Sequence, residues 1–401
     1  MALAVSQCFT MQAQTMPEAT LLRQDTAEVV LPWPVNVQTR LDSLMTDPLL
    51  ERTQLGLMVY DLSADSALYC YGAQQTLRPA STMKLLTSVT ALDLLGSGYA
   101  YRTCLYYKGT IAQGVLTGDV WLVGGMDPLF DMTDMRIFAE TLHRVGVDTI
   151  RGRIMQDTTF KEEQLLGEGW CWDDDNPQLT PLLVSRQDEF VSQFRDELVK
   201  CGVIVDAPVS AGRLPRDKDV LLVCSRSHSL SEVLVPMMKE SDNLYAESMF
   251  YQIAAADGNR PATAKNAATI IKRLITKLGL DASQYYIADG SGLSLYNYVS
   301  AELETMFLRH AYRNENISIH LYPSLPIAGV DGTLKNRLKN TFTQGNVRAK
   351  TGTLSRVISL AGYCKAANGH TLCFTILNQG IRKASMARQF QDRVCQILCE
   401  P

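Results

Sequence analysis

The chain has no basic tract, no run of about 18 apolar residues, no C-x-x-C pair and no two histidines three to five residues apart. Each absence excludes something. Without a basic tract, and with a net charge of -4 spread over 401 residues, nucleic acid is not an expected partner. Without a long apolar run, no transmembrane span is expected. Five scattered histidines and the lack of a C-x-x-C leave a zinc site unsupported. Neither a Walker pattern nor G-x-G-x-x-G occurs, so no nucleotide is implied, and no cofactor or metal is expected.

What remains is a globular composition, 46% hydrophobic and 20% charged, with room for two domains and a large core. Ten cysteines permit disulfides in an oxidising compartment, but their spacing does not say which would pair. Residues 1–17 carry no charge. Residues 1–27 read either as the remnant of a secretory signal cleaved near Ala13 or as a disordered terminus, since a basic start and a full apolar core are missing.

Periodicity outlines the elements. Two short apolar runs between Leu55 and Tyr71 predict a β-hairpin. After Arg78-Pro79-Ala80-Ser81-Thr82-Met83-Lys84, an apolar run with helical spacing (Leu85, Leu86, Val89, Leu92, Leu95) stops at Gly96 and Gly98. Tyr99 to Val123 is β-rich, with a turn expected around Gly109. Helices are expected from Phe138 to Val145 and from Phe190 to Val199, and the charged stretch Gly212 to Lys218 as a connection back to the first domain. Further helices are expected over Leu230–Met238, Leu244–Ala256 and Ala262–Leu278. Period-two alternation over 347–354, 357–363 and 371–377, with Asn368-Gly369 between the last two, predicts strands, and Met386, Phe390, Val394 and Ile397 a closing helix. Hairpins with helices at both ends of the chain indicate an α+β fold, an antiparallel sheet flanked by helices.

Three short patterns occur in order: Ser81-x-x-Lys84, Ser241-Asp-Asn243 and Lys350-Thr-Gly352, with Thr353 following. Each alone is weak, because a serine and a lysine three apart at a helix start, a helix cap, or a strand lysine explains it. Together they supply acyl-transfer chemistry. Ser81 is the nucleophile, and Lys84, one helical turn on, is the base if its surroundings lower its pKa. Ser241 offers a proton path to the leaving amine, and Asn243 an amide that orients the substrate backbone. Lys350, with Thr351 and Thr353, suits a terminal carboxylate. Gly352 is expected to let substrate lie close to the strand. The N–H groups of Ser81 and Thr353 are expected to form the oxyanion hole.

The trio resembles that of penicillin-binding proteins and class A β-lactamases. About 160 residues between Ser81 and Ser241 is far more than a β-lactamase leaves there. From about residue 28 to 400 the chain is similar to the low-molecular-mass class C penicillin-binding proteins, the serine D-alanyl-D-alanine carboxypeptidases of the DacB (peptidase S13) family. The likeness rests on the trio, on Ser229-Leu-x-Glu-Val-Leu leading into Lys239-Glu-Ser-Asp-Asn-Leu-Tyr-Ala-Glu247, and on Asp289-Gly-Ser-Gly-Leu-Ser294. Ala328-Gly-Val-Asp-Gly-Thr-Leu334, Gly124-Gly-Met-Asp-Pro128 and Gly169-Trp-Cys-Trp-Asp-Asp174 add to it.

The resemblance implies a penicillin-binding transpeptidase/β-lactamase-like domain over 28–102 and 229–401, with a smaller β-rich domain inserted over 103–228 and a reduced or absent third domain. It implies cleavage of D-Ala-D-Ala termini of peptidoglycan peptides, extending to cross-links, through an acyl-enzyme on Ser81. β-Lactams would be covalent inhibitors, and the location periplasmic. It also implies that Asp174 approaches the amino end of the peptide side chain. Where relatives place an arginine for that side chain's carboxylate, this chain has Leu295, with Arg356 as a nearby substitute. Two rival readings stand beside it: a non-catalytic cell-wall-binding protein, and a β-lactamase-like hydrolase on the same fold.

Overall fold

The computed structural model describes residues 31–171, 178–256, 258 and 260–401. The signal reading of residues 1–27 and the specificity reading of Asp174 lie outside the described residues. In chain order the elements are α1 (Val35–Leu44), β1 (Gln54–Asp61), β2 (Ser66–Tyr71), α2 (Met83–Leu95), β3 (Ala100–Ala112), β4 (Val115–Val123) and α3 (Met132–Arg144). Then come β5 (Thr149–Arg151), β6 (Ile154–Asp157), α4 (Phe190–Lys200), β7 (Ile204–Asp206), β8 (Val209–Ala211), β9 (Val220–Ser229), α5 (Leu230–Lys239), α6 (Asn243–Ala255) and α7 (Ala264–Lys277). The chain closes with α8 (Ala301–Arg313), α9 (Glu315–Ser324), β10 (Arg348–Leu354), β11 (Val357–Lys365), β12 (Thr371–Gln379) and α10 (Ala384–Cys399).

Two sheets organise these elements. The first has the order β10-β11-β12-β1-β2, every neighbour antiparallel, so both ends of the chain build it. α10 packs on β11, and α8 covers β12 and β1 on the other face, which is the expected α+β arrangement. In the second sheet β9, β3 and β4 pair antiparallel, while β5 and β6 run parallel to β4. A parallel neighbour needs a crossover, and α3 provides it between β4 and β5.

The central element is α2. Every residue from Met83 to Leu92 is buried, polar Lys84, Thr87, Ser88 and Thr90 included. A helix buried on all sides sits inside the core rather than on its surface. It packs against α6, itself buried from Leu244 to Ala255, and against α8. Ser81 does not open the α-helix. It lies in a single 3₁₀ turn, Ala80–Thr82, that leads into it.

Three local readings are corrected. The β3–β4 turn is at Gln113-Gly114, both with positive φ, whereas Gly109 pairs with Gly118 inside the ladder. The third helix starts at Met132, six residues before the apolar signal at Phe138, because Asp131 caps it by accepting from the backbone N–H groups of Thr133 and Asp134. Residues 212–218 do not return to the first sheet. They lead into β9, which pairs with β3, and only its last residue, Ser229, caps α5 and starts the return.

Cys364, Cys373, Cys395 and Cys399 are buried free thiols at the first sheet and α10. The core role of α2 predicts that Leu86→Ala, at a fully buried site, lowers the unfolding free energy by about 2–5 kcal/mol, measurable by urea denaturation.

Candidate active site

The 3₁₀ turn that carries Ser81 is held from three sides. Ser359 Oγ on β11 donates to the Pro79 carbonyl at 2.5 Å. Ala80 has φ 51°, and its carbonyl packs against Gly292, where a Cβ would come within 1.8 Å of that oxygen. With φ 80° as well, position 292 admits only glycine. Thr82 Oγ1 lies 2.8 Å from the Pro79 carbonyl and 2.6 Å from Glu304 Oε1. A hydroxyl has one proton to give. The Pro79 carbonyl already accepts from Ser359, which leaves the Thr82 proton for Glu304 Oε1. Burial pushes Glu304 up to about 8, and its Oε2 has no partner.

Lys84 is fully buried, and its Nζ donates to three oxygens: Ser81 Oγ at 3.1 Å, Asn243 Oδ1 at 2.8 Å and the Ser291 carbonyl at 2.8 Å. Burial lowers its pKa to about 8, against the opposing pull of Asp289, Glu247 and Asp242. Asn243 is the first residue of α6, placed there because Asp242 caps that helix. Ser241, φ 62°, stands between α5 and α6, and its Oγ accepts from Lys350 Nζ at 2.7 Å. Lys350, on β10, also donates to the Thr351 carbonyl and is fully buried. Burial first, then the charge of Lys84, holds its pKa well below the usual lysine value.

The structure thus gathers the five residues into two hydrogen-bonded sets, Ser81–Lys84–Asn243 and Ser241–Lys350, close enough for the charge of Lys84 to act on Lys350. Thr351 donates to Thr333 Oγ1 at 2.7 Å, and Thr353 is exposed next to them on β10. Gly352 is also required by its protein neighbours. A Cβ there would meet Ser359 Oγ at 2.0 Å and the Pro79 carbonyl and Ser81 amide at 2.9 Å. Glycine lets the strand approach the nucleophile's own turn. Leu295 stands apart from the chain of contacts. It is exposed, and its carbonyl accepts from Arg78 Nε at 2.7 Å. With Arg78 and Arg356 it rims a cavity of about 590 Å³.

Several supporting residues carried no separate signal. Asp289 is a buried acceptor hub for Trp170 Nε1, the Gly292 and Ser294 amides and Asn297 Nδ2. Glu247 accepts from the Gly290 and Ser291 amides, and burial pushes it up to about 8. Both lie in stretches quoted above, but only folding shows that they fix the carbonyl beneath Lys84. Arg186, just before α4, pairs with Asp242 and stacks on Tyr245. Glu304 gave no pattern at all.

Fold and site together define the class, an α+β protein with a buried serine–lysine site. The chain belongs to the D-Ala-D-Ala carboxypeptidase 3 (S13) family, whose family model matches residues 37–183 and 182–400. It is 27% identical to the D-alanyl-D-alanine carboxypeptidase of Actinomadura sp. (strain R39), over 85% of this chain and 80% of that protein. It is 25% identical to D-alanyl-D-alanine carboxypeptidase DacB of Haemophilus influenzae, over 82% of this chain and 86% of that one. The crystal structure of penicillin-binding protein 4 (dacB) from Haemophilus influenzae superposes with a TM-score of 0.80 at 23% identity, covering 90% of this chain and 98% of that chain.

Glu304 sets a pH dependence of stability. Folded, it keeps its proton up to about pH 8, whereas the unfolded chain loses it near 4.5. Its stabilising contribution is complete below about pH 4.5 and is lost as pH rises towards about 8. Glu304→Gln is expected to shrink the drop in unfolding free energy between these limits by a few kcal/mol, read from urea denaturation at both ends.

Proposed function

We propose that the protein is a serine-type D-Ala-D-Ala carboxypeptidase acting on peptidoglycan stem peptides, with Ser81 as the nucleophile. The observation that carries the reading is the contact set of Lys84, which joins the nucleophile's turn, α6 and the Asp289 loop at one nitrogen. Neutral Lys84 takes the Ser81 proton as Oγ attacks the penultimate carbonyl carbon. The N–H groups of Ser81 and Thr353 receive the developing oxyanion. As the C–N bond breaks, the departing D-alanine nitrogen takes a proton by way of Ser241, whose hydroxyl Lys350 holds. Water then cleaves the acyl-enzyme and frees Ser81.

Lys350 has no carboxylate against its Nζ among the described residues. A substrate C-terminal carboxylate, held by Thr351 and Thr353 as well, supplies the missing counter-charge. β10 is an edge strand of its sheet, so the outer backbone groups beyond Lys350 can pair with an extended peptide. Asn243 then orients the acyl side. Such a substrate supports a periplasmic location. A segment around 103–228 built on its own sheet supports a separate inserted domain. Arg78 and Arg356 beside Leu295 support a side-chain carboxylate site displaced from the position relatives use.

A fluorescent penicillin is expected to form a stable adduct with the wild type and none with Ser81→Ala. Failure to label the wild type overturns the reading, and rapid turnover of the drug would favour a β-lactamase. Digestion of purified muropeptides with mass analysis is expected to show loss of a terminal D-alanine, and the same digest reports any cleavage of cross-links. Because Lys84 must be neutral to act, acylation is expected to accelerate about tenfold per pH unit below about pH 8 and to level above it. Lys84→Arg, always charged, is expected to abolish acylation with the fold retained by circular dichroism.

A further inference from the structure

We propose that the cleft at the far end of α2 binds an oxyanion of two or more charges, at a site separate from the catalytic one. The cavity holds about 660 Å³ and is lined by residues of β3, β4 and β6 of the second sheet and by Gln252 of α6. Gly98 lies past the C-terminus of α2, and Ser81 just before its N-terminus. Thirteen helical residues rise about 20 Å, which keeps the two sites apart.

Four arginines line the cleft, brought from separate parts of the chain: Arg102 on β3, Arg213 and Arg216 before β9, and Arg260 after α6. The one acidic lining residue is Asp157. Its carboxylate is already occupied, accepting from the Leu214 amide at 2.7 Å, the Thr159 amide at 2.9 Å and Thr159 Oγ1 at 2.7 Å. Arg260 is held in place, 4.6 Å over the Phe160 ring, with NH1 donating to the Ala255 carbonyl. Burial raises the phenol of Tyr99 at the cleft wall, and the charges of Arg260 and Arg102 act against it.

Arg102, Arg213 and Arg216 form no ion pair among the described residues, although Arg153, Arg186, Arg226 and Arg337 elsewhere all have carboxylates. In a chain of net charge -4, acids to pair them were abundant. Like charges converging on one cleft repel, and a bound anion removes that repulsion. Guanidinium forks match carboxylate and phosphate oxygens in pairs, so the ligand class is a polycarboxylate or a phosphate-bearing group.

Titration calorimetry at low ionic strength, with pyrophosphate and citrate as probes, tests the site. Saturable binding of at least one probe by the wild type is expected, and the tighter probe tells phosphate from carboxylate. Arg213→Glu with Arg216→Glu is expected to weaken binding at least tenfold, and the milder Arg213→Gln with Arg216→Gln at least threefold. Both variants are expected to keep the wild-type rate of acylation by penicillin, which also shows that they fold. The proposal is overturned by absence of saturable binding, by undiminished binding in both variants, or by loss of binding once Ser81 is acylated, which would put the anion in the catalytic slot. The acylation readout is independent of the anion, so failure here leaves the catalytic reading untouched.

Discussion

A buried ammonium group needs an oxygen for each of its protons, and Lys84 finds them on three segments far apart in the chain: Ser81, Asn243 and the Ser291 carbonyl. That requirement ties together the turn before α2, the start of α6 and the loop after α7. Each acceptor is in turn held by something else. Asp242 caps α6, Asp289 and Glu247 gather the amides of the 289–294 loop, and Gly292 lets that loop close on Ala80. Remove the lysine's polar shell and its burial costs several kcal/mol with nothing to offset it.

The neighbouring groups show a second consequence of placing chemistry in a core. Lys84 and Lys350 are pushed down by burial, Glu247 and Glu304 pushed up. These shifts all favour neutral forms, and neutral forms at ordinary pH are what proton transfer requires. The same burial stores strain: Glu304 keeps an oxygen with no partner, and Ala80 and Ser241 sit at positive φ without being glycine.

Much of this was legible in the chain. The first sheet's strands, the buried helix after Ser81 and the three motifs all follow from short-range pattern, because hydrophobic period and turn residues act over a few positions. What escaped has an equally physical origin. Gly109 resembled a turn, but a strand pair accommodated it opposite Gly118, while Gln113-Gly114 made the bend. The start of α3 was hidden because Asp131 caps it through hydrogen bonds, and those leave no apolar signal. The contact of Gly352 with the Ser81 turn was hidden as well, because the two lie about 270 residues apart in sequence.

The sequence by itself determined which groups are available: a serine with a lysine one turn on, a second serine with an asparagine, a lysine on a strand, and glycines where backbone must pass close. It determined the family as well, since those residues recur in order with their flanking words. Only the tertiary structure decided the protonation chemistry, because desolvation depends on what encloses a group and not on its sequence neighbours. It alone decided that Glu304 supports the nucleophile's turn, that Arg186 clasps Asp242, and that four arginines from separate segments share one cleft. Local pattern can specify an element, but a charge's environment is made by residues the chain brings together only on folding.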